Sequence, residues 1–166
     1  MGQVWERRKR MFDLIQNLDA SVLLWIALSV AMLLYRPTRK AGMAALTAML
    51  LGLVLNNLII KQLVGRPRPW LSVEGLHYVI FEGDPNSFPS GHTCASFAAA
   101  CAWWRLAPKR WMAVAGMAMA VCMGLSRLYV GVHYPSDVLM GALVGTLCGQ
   151  LSRKMWDKLA RKQGND

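Results

Sequence analysis

The 166 residues carry a formal net charge of +10, yet 55% of them are hydrophobic and only nine are acidic. That balance argues against a soluble single domain and fits a polytopic membrane protein. It also argues against a nucleic-acid partner, because the basic residues cluster at the ends of apolar runs and no basic, aromatic-interleaved recognition module is present.

In chain order, residues 4–18 are predicted to form an amphipathic helix. A basic start before an apolar stretch also suits a signal peptide, but no small-residue cleavage site follows, so the segment is expected to be retained. Glu6 stands where a myristoylation signal needs Ser or Thr. Five runs without any charge come next, at residues 20–35, 41–60, 93–104, 111–125 and 138–151. The expected fold class is therefore all-α: a membrane helix bundle of about five transmembrane helices plus the N-terminal amphipathic helix, in one domain over residues 1–166. A span needs roughly 20 apolar residues, so the short third run is expected to lie buried inside the bundle. The one long polar segment is 64–90.

The small residues Gly141, Gly145 and Gly149 recur every four positions in the last run, a stripe that admits close approach of another helix, expected within the chain. Cys94, Cys101, Cys122 and Cys148 all lie in apolar runs, without the close pairs of a zinc site, and are expected to be packed thiols. Tyr35, Trp103, Trp104, Trp111 and Trp156 are expected at one membrane interface, and Trp70, Tyr78, Tyr129 and Tyr134 at the other. Counting Lys and Arg on alternate sides gives eleven on the side of the C-terminal tail and eight on the other, four of which (Lys61, Arg66, Arg68 and Arg127) belong to a candidate site. The tail is thus expected in the cytoplasm and the polar segments outside.

Three polar clusters share that outer side. The second run ends in KQLVGRPRP, with Lys61, Arg66 and Arg68. The third opens with NSFPSGHT, with Pro89 near its first turn, then Ser90, Gly91 and His92. Between the last two runs lies SRLYVGVHYPSD, with Arg127, His133 and Asp137. Singly, each has an ordinary explanation in snorkelling side chains, helix starts or a carboxylate at a helix N-terminus. Together they suit a phosphoryl group: Lys61, Arg68 and Arg127 supply positive charge, and Ser90, the Gly91 amide and a helix N-terminus supply neutral donors. Asp137, four residues after His133, can orient one ring nitrogen and leave the other as a nucleophile; His92 can serve as general acid and base. No metal or other cofactor is required, because Glu74, Glu82 and Asp84 are scattered in a loop and only Asp137 lies close to a His.

With K61-x6-R68-P69, P89-S90-G91-H92 and S126-R127-x5-H133-x3-D137, the sequence resembles the type 2 phosphatidic acid phosphatase (PAP2) superfamily, which includes acid and lipid phosphatases and vanadium haloperoxidases. The resemblance implies His133 as nucleophile, Asp137 as its partner, His92 as general acid, and Lys61, Arg68, Ser90, Gly91 and Arg127 as phosphate ligands. Ser126 takes a supporting role beside Arg127, whereas Arg66 is no motif position and is expected at the pocket rim or on a lipid headgroup. The chain is most similar to the short bacterial undecaprenyl diphosphate phosphatases. That implies a membrane lipid phosphate as substrate and an active site on the outer face of the inner (plasma) membrane. Phosphatidylglycerol phosphate, phosphatidic acid and lipid A stay open as substrates, as does phosphotransfer between lipids; the sequence sets no oligomeric state. A haloperoxidase is disfavoured by the five apolar runs, and a pure binder by the complete His/His/Asp set.

Overall fold

The structure is a computed structural model and describes residues 20–73 and 82–162. The expected amphipathic helix at 4–18, Tyr78, Glu74 and the last four residues lie outside that range.

Six helices are described. They are α1 (Ala20–Leu34); α2, which runs as Arg39–Gly52, a π-helical stretch Leu53–Ile60 and a last turn Lys61–Val64; a short α3 (Pro69–Ser72); α4 (Gly91–Leu106); α5 (Arg110–Tyr129); and α6 (Pro135–Lys162). A 3-10 turn, Arg36–Thr38, joins α1 to α2. Among the described residues there is no strand, only one antiparallel bridge between Pro67 and Asn86. The segments 36–64 and 110–129 are long and apolar enough to cross a membrane, and 21–34 is a shorter apolar helix.

α4 is the centre, packed against α1, α2, α5 and α6. Its short run reads as buried in the sequence, and it is: Cys94, Ala98, Ala99, Ala100, Cys101 and Ala102 are all shielded. The reason it can be surrounded is side-chain size. Small residues let helix backbones approach closely, and the core is accordingly rich in alanine. The Gly141, Gly145 and Gly149 stripe of α6 lies on α4, where a Cβ built at Gly141 would sit 2.5 Å from the Ser90 carbonyl oxygen and one at Gly149 2.6 Å from that of Ala98. Ser152 and Trp156 fasten α6 to α2 by donating to the Ala44 carbonyl, at 2.7 Å, and to Thr47 Oγ1, at 3.2 Å.

The large apolar side chains point outward instead. Leu139, Leu143, Leu147 and Leu151 form an exposed stripe on α6, and Leu50, Leu53, Leu55 and Leu58 are exposed on α2. This distribution inverts that of a soluble core.

Two expectations change here. Trp103 does not face outward as an interfacial aromatic would: it is buried against Trp25, with ring centroids 5.3 Å apart. Cys122 is exposed, on a groove of about 410 Å³ that it lines with Trp104, Val114, Met117, Ala118 and Val121. The other three cysteines are buried.

A Gly141→Ala substitution tests the α4–α6 contact. The added methyl must displace backbone that carries Ser90, so we expect a loss of about 1–3 kcal/mol, seen as a lower Tm in detergent, with weaker binding of phosphate-like anions.

Candidate active site

The site assembles from four stretches at one end of the bundle. α2 stops because Gly65 adopts φ 57° and donates its N–H to the Lys61 carbonyl at 3.0 Å, the left-handed stop that glycine favours. The following stretch, residues 66–68, is extended up to the Pro69 that opens α3, since each residue before a proline is pushed out of the helical region. Alternation along extended chain puts Arg66 and Arg68 on one side.

The segment that precedes α4 is stitched to this run. Ser87 N donates to the Arg66 carbonyl at 2.7 Å, Arg68 N to the Pro85 carbonyl at 3.2 Å, and Ser87 Oγ to the Pro67 carbonyl at 3.2 Å. Ser90 caps α4, with Thr93 Oγ1 donating to Ser90 Oγ at 3.0 Å and Thr93 N reaching the same oxygen at 3.5 Å. Pro89 lies directly ahead of the cap, next to the first turn that Gly91 opens. Ser90 N donates to the Asp137 carbonyl at 3.0 Å, tying the second cluster to the third.

All eight residues singled out from the sequence, Lys61, Arg68, Ser90, Gly91, His92, Arg127, His133 and Asp137, are brought to this end of the bundle. Arg68 is fully buried and its guanidinium is aimed by two backbone carbonyls: Nε donates to Asp84 O at 2.6 Å and Nη1 to Val132 O at 3.1 Å. His133 lies in the loop between α5 and α6, with Nδ1 3.5 Å from Asp137 Oδ2 and Nε2 3.4 Å from Arg68 Nη1. Nδ1 thus faces the carboxylate and Nε2 faces the pocket. Arg127, in the last turn of α5, has Nε 3.4 Å from Ser126 Oγ, the supporting place expected for Ser126.

Burial lowers the pKa of His133 from its ordinary 6.5, and the Arg68 and Lys61 cations act in the same direction, against the pull of Asp137 and Glu82. The shift favours the neutral imidazole, the form a nitrogen nucleophile needs.

Three features of the site were missed in the sequence. The first is Arg66, whose Nη1 lies 3.0 Å from Asp137 Oδ1 and 2.7 Å from Ser136 Oγ, with the guanidinium 3.9 Å over the Tyr134 ring. Arg66 therefore holds the carboxylate that faces His133. The second is Asn56 in the π-helical stretch, wholly buried, with Nδ2 2.8 Å from Asn57 Oδ1 and 3.3 Å from Pro89 O. Asn57 in turn lies so close to Gly91 that a Cβ there would meet its Oδ1 at 3.0 Å. A π-helical turn inside an α-helix often marks a functional position, and here it supports the start of α4.

The third corrects an expectation. Glu82 and Asp84 are not scattered. Asp84 Oδ2 pairs with Lys61 Nζ at 2.8 Å, and Glu82 sits among Arg68, Arg127, His92 and His133. Ligand atoms of Glu82, His92 and His133 fall within 4.8 Å of one another, a spacing that a metal ion can use. Two guanidiniums share the same carboxylate, however, so a divalent cation would meet Arg68 and Arg127 at contact range. The donor set fits an anion.

The sequence profile of the PAP2 superfamily matches residues 41–161. An undecaprenyl-diphosphatase from Sulfolobus acidocaldarius is 32% identical over 128 residues, which cover 77% of this chain and 61% of that relative. The chain thus spans about three-fifths of its length. Among solved structures, Aquifex aeolicus LpxE superposes with a TM-score of 0.69 at 27% identity, over 87% of this chain and 86% of that one. A transmembrane PAP2-type phosphatidylglycerolphosphate phosphatase from Bacillus subtilis superposes with a TM-score of 0.65 at 26% identity, covering 93% and 78%.

Proposed function

The chain belongs to the PAP2 superfamily, and on that premise we propose that it is a metal-independent lipid phosphatase that works through a phosphohistidine. The observation that carries the reading is His133, held with Nδ1 toward Asp137 and Nε2 toward Arg68 in the pocket. Nε2 attacks phosphorus, the bond to the leaving oxygen breaks, and His92 protonates that oxygen. Water, deprotonated by His92, then cleaves the P–N bond and inorganic phosphate leaves. Lys61, Arg68, Arg127, Ser90 and the Gly91 amide stabilise the equatorial oxygens throughout.

The same reading makes residues 1–166 one catalytic domain with five spans, α1, α2, α4, α5 and α6, around a lipid-exposed leucine surface. The site then opens extracytoplasmically at the plasma membrane. A headgroup enters there while the lipid tail stays in the bilayer. Undecaprenyl diphosphate is the substrate we favour, supported by the similarity to the Sulfolobus enzyme. Similarity to the Bacillus structure supports phosphatidylglycerol phosphate as the alternative.

A phosphate-release panel decides between them. Undecaprenyl diphosphate is expected to give the highest kcat/KM among the four candidate lipids, with activity intact in EDTA. Release from none of the four, or a strict Mg2+ requirement, overturns the proposal.

The pH dependence follows from His133. Its folded pKa is depressed below 6.5, so kcat/KM should hold steady from pH 7 down to about that value and fall as the pH drops through the folded pKa. The sign for stability is the same: the buried neutral ring contributes above the unfolded pKa and its contribution is lost as pH falls through the folded one. An activity that rises on acidification through this range contradicts a neutral His133 nucleophile.

A further inference from the structure

The anion pocket already holds an anion of the chain's own. Glu82, only 11% exposed at its side chain, directs Oε2 into an ion pair with Arg68 Nη2 and to 4.0 Å from His133 Nε2. Its other oxygen, Oε1, lies 3.5 Å from Arg127 Nη1 and 3.8 Å from His92 Nδ1. These four groups are the ones assigned to the transferring phosphoryl group. A carboxylate carries two of the charge-bearing oxygens that a phosphoryl group carries, at similar spacing, and guanidinium forks accept either. Phosphoryl oxygens held by Arg68 Nη2 and Arg127 Nη1 would need the donors that the Glu82 oxygens now occupy, so the two anions compete for them.

Asp84 does not compete in this way. One of its oxygens is bound to Lys61 at 2.8 Å and the other accepts from Asn86 N at 2.9 Å, at the half-exposed edge of the pocket. Of these two carboxylates, Glu82 is the one that reaches the centre.

We propose that Glu82 is an affinity-determining residue, an internal competitor whose carboxylate neutralises Arg68 and Arg127 until a phosphoryl dianion displaces it, and which returns to them as inorganic phosphate leaves. The inference rests on the phosphate-pocket reading above. Its consequence is weaker holding of small anions than the bare cations would give, which favours product release over product inhibition. A lipid substrate makes up the difference with contacts that free phosphate lacks.

The test is anion inhibition of the purified full chain, using inorganic phosphate and vanadate as probes against release from a lipid phosphate. Glu82→Gln keeps the shape and removes the charge. Its inhibition constants for both anions should fall about tenfold or more, and KM for the lipid should fall with them. Glu82→Asp, one methylene shorter, should shift in the same direction by less, and carries the test if Glu82→Gln loses its thermal transition. Wild-type inhibition with no tightening in either variant overturns this inference alone. So does a lower kcat at unchanged anion affinity, which would make Glu82 a positioning partner of His92, and so does tight divalent-metal binding lost on Glu82→Gln. Absence of inhibition in every protein overturns the pocket reading itself, and this inference with it.

Discussion

Replacing His133 with alanine is expected to abolish phosphate release from lipid phosphates, by about 10⁴-fold or more, while the protein retains its fold in detergent. The loss is large because, among the described residues, no other side chain is placed to make the covalent bond. Asp137 faces the far nitrogen of the same ring, and His92 lies across the pocket beside Glu82. The fold should survive because the neighbouring ties do not run through the ring: Arg66 still holds Asp137, and Asp137 still accepts from Tyr134 N at 2.9 Å. A folded His133→Ala protein that releases phosphate at the normal rate would show that the nucleophile lies elsewhere.

Arg68→Lys should be nearly as severe, with kcat/KM reduced about 10²–10³-fold. The charge is kept, so a mild effect is the naive expectation. Arg68, however, uses Nε and Nη1 on the Asp84 and Val132 carbonyls, and this aims Nη2 at the pocket centre. A lysine places one point charge there and leaves buried carbonyls without their donor, at a cost to stability of about 1–3 kcal/mol. Vanadate inhibition separates the two effects, since a folded variant should bind the anion more weakly. Unchanged kcat/KM and vanadate affinity would reduce Arg68 to a structural role.

The residues that converge on the candidate site were named from the sequence, and their arrangement was legible only in part. The His133 to Asp137 spacing across a helix start implies one ring nitrogen on the carboxylate, and the two groups lie 3.5 Å apart. Ser90 and Gly91 read as a helix start and stand at one. Helix starts are local, so local sequence encodes them. The role of Arg66 was not readable, because its partner Asp137 is 71 residues away and nothing between them carries a periodic signal. Glu82 and Asp84 escaped for a related reason: their segment is placed by backbone hydrogen bonds to the Arg-Pro-Arg-Pro run, and such bonds leave no mark on residue type. The π-helical stretch Leu53–Ile60 is hidden within an apolar run, where α- and π-helical turns offer the same composition. Trp103 misled because an aromatic at the end of an apolar run looks interfacial whether it faces lipid or, as here, Trp25.

Rapid alkaline quenching detects the covalent phosphohistidine itself. The enzyme is mixed with a lipid diphosphate radiolabelled in its terminal phosphate, quenched within a turnover, digested and mapped, with His133→Ala as the blank. An alkali-stable, acid-labile label is expected on the peptide that contains His133, absent from the variant and chased by unlabelled substrate. Label on another residue, or full phosphate release with no labelled protein at any time, would contradict it.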